Sequence, residues 1–100
     1  MKSLRHDRRR PTHPGEVLRE DVLPALGITQ TELAKRLMVS RVTVSEILLE
    51  KRALSPDMAV RISRLTSTTP ESWLAMQQAV DLWEVNQHPE RYAAISPVAA

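Results

Sequence analysis

The chain of 100 residues contains no cysteine, no phenylalanine, two glycines, one tyrosine and two tryptophans. Without cysteine there is no disulfide framework and no thiolate metal site, and a reducing cytosol is the natural setting. Scarce glycine, scarce aromatics and few β-branched runs argue against an all-β fold. No segment approaches the ~20 consecutive apolar residues of a membrane helix, and the amino terminus is charged where a secretory signal would be apolar. A soluble, cytoplasmic protein is expected. Also missing are a nucleophile–base pair, a supported carboxylate pair and a glycine-rich phosphate loop. His6, His13 and His88 share no helix at ligand spacing, so no metal, no cofactor and no enzymatic activity are expected.

What is present points to helices. With 42% hydrophobic content, 100 residues support one small domain with one core. Leu, Ala, Glu and Arg dominate the periodic segments, which reads as all-α. Residues 30–49 hold two short helical patterns separated by Met38, Val39 and Ser40, the spacing of a helix-turn-helix. Leu33, Ala34 and Leu37 lie on one side of that turn and Val44, Ile47 and Leu48 on the other, so two helices share one core. Thr29 with Glu32 forms a capping box at the first start, and Ser40 with Thr43 marks the second.

Around this pair, His13, Pro14, Gly15 and Glu16 open a first helix with Val17, Leu18, Val22 and Leu23 on its apolar face. Pro24 is expected to end it, with Gly27 available for a positive φ. Ser55, Pro56 and Asp57 start a further helix through Met58, Ala59, Ile62 and Leu65. Thr69, Pro70 and Glu71 repeat that grammar and launch the longest amphipathic helix, through Trp73, Leu74, Met76, Gln77, Val80 and Trp83. Five helices fit the length. The expected division is a basic flexible arm over residues 1–12, a helix-turn-helix domain with a carboxy-terminal dimerisation helix over 13–86, and an irregular tail over 87–100.

Net charge is +2, but the first ten residues carry a net +4 and leave −2 for the rest. Residues 29–52 hold Lys35, Arg36, Arg41, Lys51 and Arg52 against Glu32, Glu46 and Glu50, whereas residues 65–90 hold four acids and no Lys or Arg. One part suits a polyanion and another repels it. The arm is either a solvated tail or a basic strap that touches phosphate or a partner. Trp73 and Trp83, about 80° apart around their helix, serve either core packing or an interface.

The chain resembles the Xre/Cro-like helix-turn-helix proteins and, more narrowly, the HigA-type antitoxins of toxin–antitoxin modules. The resemblance rests on residues 13–18 (HPGEVL), 26–30 (LGITQ), 33–37 (LAKRL), 39–45 (VSRVTVS) and on Trp73, Leu74, Asp81, Leu82 and Trp83. It implies a five-helix, lambda-repressor-like fold that represses its own operon and neutralises a HigB-type, ribosome-dependent mRNA endonuclease. Two departures stand out. The family often has Gly where Met38 stands, which suggests a slightly remodelled turn. Many relatives have Asn-Gly where this chain has Leu49 and Glu50, which suggests a different helix end and a different aim for Lys51 and Arg52.

In such a motif the start of the second helix faces base edges in the major groove. Ser40, Arg41, Val42 and Glu46 are the candidate base contacts. Arg41 suits a bidentate bond to guanine and Val42 a thymine methyl, while Glu46 either accepts from cytosine or holds Arg41 in place. Candidate phosphate contacts are Gln30, Thr43, Lys51 and Arg52. One motif reads only a few base pairs, so a homodimer on a palindromic or repeated double-stranded operator is expected, with Trp73, Met76, Val80 and Trp83 as the dimer or partner interface. The expected partners are operator DNA, a cognate toxin and a second copy of the chain. The alternatives are a free-standing repressor and a partner-inhibiting module without DNA binding.

Overall fold

Each of the five helices starts on a side chain that accepts from the first turn. Thr29, Ser40, Ser55 and Thr69 sit in extended backbone, and their hydroxyls accept from Glu32 N at 3.1 Å, Thr43 N at 3.1 Å, Met58 N at 3.2 Å and Ser72 N at 3.2 Å. His13 does the same with imidazole Nδ1, which accepts from Gly15 N at 2.9 Å. Each bond satisfies one of the amides that a helix leaves open, and a cap of this kind is worth about 1 kcal/mol. Pro14, Pro56 and Pro70 follow three of these caps, where a missing N–H costs nothing.

The computed structural model describes residues 9–99, which are helical without strands. The first eight residues of the expected basic arm lie outside the described residues. Helix α1 comprises Pro14–Val17, a π-helical turn Leu18–Val22 and Leu23–Leu26. Helix α2 is Gln30–Leu37, α3 is Arg41–Leu48, α4 is Pro56–Thr66 and α5 is Pro70–Asn86, followed by a short 3-10 turn at Pro89–Arg91.

Pro24 does not end the first helix. It lies inside α1, which continues to Leu26 and closes on Gly27 at φ 65°. In a regular helix the Pro24 ring would collide with the Glu20 carbonyl. The π turn just before it, in which Leu23 N–H reaches back five residues to Leu18 O, loosens that stretch of helix.

The turn at Met38 is not remodelled either. Met38 adopts φ 60° and ψ 44°, the left-handed conformation glycine would take, while Met38 N bonds Lys35 O at 3.1 Å and Val39 N bonds Ala34 O at 3.0 Å. Arg61 adds a cap from α4, its Nη1 donating to Leu37 O at 2.9 Å. The bulky side chain is accommodated because it points into solvent, 82% exposed.

The core joins all five helices. Leu18, Leu33, Leu37, Val44, Ile47, Leu48, Met58, Ile62 and Trp73 are buried together, and Trp73 satisfies its indole N–H on Thr68 Oγ1 at 2.7 Å. Each such aliphatic side chain contributes about 1.5–3 kcal/mol relative to exposure. Helices α1 and α3 meet at close range: a Cβ added to Gly15 would lie 1.9 Å from the Ile47 carbonyl oxygen. Backbone must move to admit any side chain there.

Gly15→Ala is therefore expected to lower stability by roughly 2 kcal/mol or more, read as a shift in the urea midpoint. Gly27→Ala, strained only by its φ of +65° with open space around it, is expected to cost about 1 kcal/mol. Equal effects of the two substitutions would overturn the close-approach account.

Candidate nucleic-acid interface

The pair α2–turn–α3 presents the outer face of α3 to solvent. Val44, Ile47 and Leu48 are turned into the core, which leaves Val42, Glu46 and Leu49 along the opposite side at helical spacing. Val42 is 64% exposed and Leu49 58%. Ser40 caps the helix and its Oγ also lies 2.9 Å from Thr43 Oγ1. Arg41, the first helical residue, is exposed, and among the described residues no hydrogen bond or ion pair engages its guanidinium.

Glu46 does not hold Arg41. Its Oε1 pairs with Arg52 Nη2 at 2.8 Å, and Arg52 Nη1 donates to Thr43 Oγ1 at 3.3 Å. A polar chain therefore runs Ser40, Thr43, Arg52, Glu46 across the outer surface of α3, folding the cation that follows the helix back over it. Lys51 is exposed beside this chain, and Gln30 sits half-buried at the first position of α2. The hydrogen bonds and ion pair thus bring Ser40, Thr43, Glu46 and Arg52 together on α3, whereas no side-chain hydrogen bond or ion pair ties Gln30 or Lys51 to them among the described residues. Lys35 stays exposed, and Arg36 is taken up by Glu32 at 2.8 Å.

Sequence reasoning missed two things here. Leu49 belongs to the outer face, a position legible from its spacing of seven residues from Val42. The other is the end of α3. Glu50 takes φ 63°, and Glu50 N and Lys51 N close the helix on Ile47 O at 3.0 Å and Glu46 O at 2.8 Å, as glycine would allow. The helix end is thus the ordinary one despite the missing glycine, and the aim of Lys51 follows from it.

Glu50 is also the centre of a charge cluster. Arg10 Nη1 donates to its Oε1 at 2.6 Å, and Arg19 Nη1 lies 3.4 Å from its Oε2 while bonding Leu48 O at 2.6 Å. Arg10 Nη2 reaches Glu84 Oε2 on α5 at 3.5 Å. The hydrogen bond from Arg10 pulls the Glu50 carboxyl below its ordinary value of 4.5. Next to it, burial pushes His13 below its ordinary 6.5, with Arg10 adding to the effect and Glu50, Glu84 and Asp81 opposing it.

The four residues expected at a dimer or partner surface divide. Trp73 is 3% exposed and Val80 1%, so both are spent in the core. Met76 and Trp83 are half-buried along the next row of α5 with Ala79, and Leu82, 55% exposed, extends the apolar surface outward. Trp73 closes the core on the α5 side.

A helix-turn-helix family profile matches residues 18–74. Antitoxin HigA-1 of Vibrio cholerae serotype O1 is 36% identical over 95% of this chain and 90% of its own length. An uncharacterized HTH-type transcriptional regulator of Escherichia coli K12, YbaQ, is 41% identical over 80% of this chain and 71% of its own. The structure of antitoxin GraA in complex with its operator superposes with a TM-score of 0.83 at 39% identity, covering 98% of this chain and all of that one.

Both titrating groups make stability depend on pH. His13 binds its proton less readily folded than unfolded. Its contribution is complete above 6.5 and falls as pH drops from there towards the depressed folded value. Glu50 contributes fully above 4.5 and loses that contribution as pH falls through its lower folded value. The urea midpoint is expected to decline as pH falls below 6.5, and His13→Asn, which keeps a cap acceptor, to flatten that step. A wild-type midpoint constant across it would show that His13 is not held neutral.

Proposed function

The chain belongs to the Xre-like helix-turn-helix family that includes the HigA antitoxins, and we propose that it is a DNA-binding antitoxin that represses its own operon. The observation that carries this is the outer face of α3, where the Arg41 guanidinium, engaged by no side chain among the described residues, stands at the helix start beside Val42 and the Ser40–Thr43–Arg52–Glu46 chain. A recognition α-helix lies in the major groove with its N-terminal residues at the base edges. Arg41 donates two parallel bonds to guanine O6 and N7, worth roughly 1–3 kcal/mol of discrimination. Val42 meets a thymine methyl, and Leu49 supplies a second apolar contact further along the same face. Thr43, Gln30 and Lys51 bond phosphate, while Arg52 reaches phosphate from its seat on Glu46.

Two copies read two half-sites about 34–36 Å apart. The row Met76, Ala79, Leu82 and Trp83 on α5 is the surface for that pairing, since Trp73 and Val80 are unavailable. The HigA-type resemblance supplies the second activity, neutralisation of a HigB-type mRNA endonuclease. A free-standing repressor is the competing account, favoured by relatives known only as transcriptional regulators. A module without DNA binding loses its main support, because the Met38 turn has the geometry a glycine would give.

Arg41→Ala is expected to weaken binding to the duplex upstream of the gene by roughly 5- to 150-fold while leaving non-specific affinity and a dimeric mass by light scattering unchanged. Retained specificity would place the reading face elsewhere, and a monomeric mass would remove the two-half-site geometry. Expression of the neighbouring small gene alone is expected to arrest growth, and co-expression of this chain to restore it. A neighbour harmless on its own would leave the free-standing repressor.

A further inference from the structure

Glu46 puts a carboxylate on a face that has to meet DNA. It shares the outer row of α3 with Val42 and Leu49, and left to itself it would be repelled by the phosphates that border the groove. The fold cancels that charge locally, since Arg52 Nη2 stands 2.8 Å from Oε1. Oε1 is closed off from solvent there and accepts no hydrogen bond beyond that ionic contact. The Glu46 side chain is still 41% exposed, so what its carboxylate offers outward is Oε2, which nothing engages among the described residues.

Several bonds frame this oxygen. Arg52 is held a second time, its Nη1 donating to Thr43 Oγ1 at 3.3 Å, and Thr43 Oγ1 lies 2.9 Å from the capping hydroxyl of Ser40. Behind them, Lys51 N closes on Glu46 O at 2.8 Å and Leu54 N donates to the buried Gln77 Oε1 at 2.8 Å, which sets the path that brings Arg52 back over α3. A group framed in this way loses little freedom when a ligand arrives. An acceptor with no donor of its own is also selective in the major groove. Guanine shows N7 and O6 there and thymine O4, all acceptors, and adenine sets its amine beside the acceptor N7, whereas cytosine presents the N4 amine alone.

We propose that Glu46 is a specificity-determining residue that accepts a hydrogen bond from cytosine N4 through Oε2, with Arg52 as the positioning residue that cancels its charge and aims it. The inference rests on the DNA-binding reading of α3 and extends it to the base content of the half-site. Glu46 follows Val42 by four residues, a rise of about 6 Å, so the cytosine lies about two base-pair steps from the thymine that Val42 meets.

The upstream duplex is prepared with each base pair replaced singly, and binding of the full-length protein is read by anisotropy competition. Replacing the cytosine is expected to weaken wild-type binding roughly 5- to 150-fold. Glu46→Gln, whose amide suits adenine N6 and N7, moves the preference at that one pair from cytosine to adenine and leaves in place the guanine preference that depends on Arg41. Glu46→Ala levels the four bases there. Arg52→Ala lowers discrimination at the same pair and weakens binding to every duplex. Neither side chain belongs to the core, so the urea midpoint and the dimeric mass are expected to stay near those of the wild type.

An effect of Glu46→Gln that is equal on every duplex overturns the proposal, because Glu46 would then serve only as the seat of Arg52. A change of preference confined to a pair where the wild type does not select cytosine overturns it as well. Full discrimination at the cytosine in Arg52→Ala overturns the positioning role. Each of these leaves wild-type selectivity, and hence the function of α3, intact. A wild type that discriminates no base pair removes the DNA-reading role of α3 and the proposal with it.

Discussion

The approach of the α1 backbone to the end of α3 is the constraint on which the rest depends. Gly15 passes so close to the Ile47 carbonyl that no Cβ fits between them. His13 fixes the start of α1 with a buried cap, and Pro14 sets its first turn. This junction holds the last turn of α3 from behind, while Val44 and Ile47 share the core with Leu33 and Leu37 of α2. The outer face of α3 needs no internal packing of its own, and its side chains are left to solvent and ligand.

Much of this was legible because helix starts are local. A hydroxyl, a proline and an acid within four residues specify a cap without reference to the rest of the chain, and Ser55 and Thr69 carry all three signals while Thr29 and Ser40 manage with fewer. The shared core of α2 and α3 was legible for the same reason, since spacing alone puts Leu33, Leu37, Val44 and Ile47 on facing sides. Helix ends were harder. Three close on Met38, Glu50 and Ser67 in left-handed backbone, where sequence rules look for glycine, and Pro24 sits within a helix that a π turn allows to continue.

The site was legible as a set of positions and not as a set of partners. Which cation Glu46 engages is decided by the path of residues 49–52 after the helix, which brings Arg52 back to it in place of Arg41. Arg10 and Glu50 are forty residues apart, and no local pattern joins them. The division of α5 between core and surface likewise depends on how much of the core the other helices leave open. There Gln77 is buried to accept from Leu54 N at 2.8 Å, tying the segment that carries Lys51 and Arg52 to the last helix.

The left-handed helix ends bear on how long the molecule lasts in a cell. Where opening is fast relative to cleavage, degradation follows the population of opened chain and hence the free energy of folding. Met38 and Ser67 each hold back a fraction of that free energy as backbone strain at exposed positions away from the outer face of α3. Substitution there tunes lifetime and abundance while leaving the outer face of α3 unchanged.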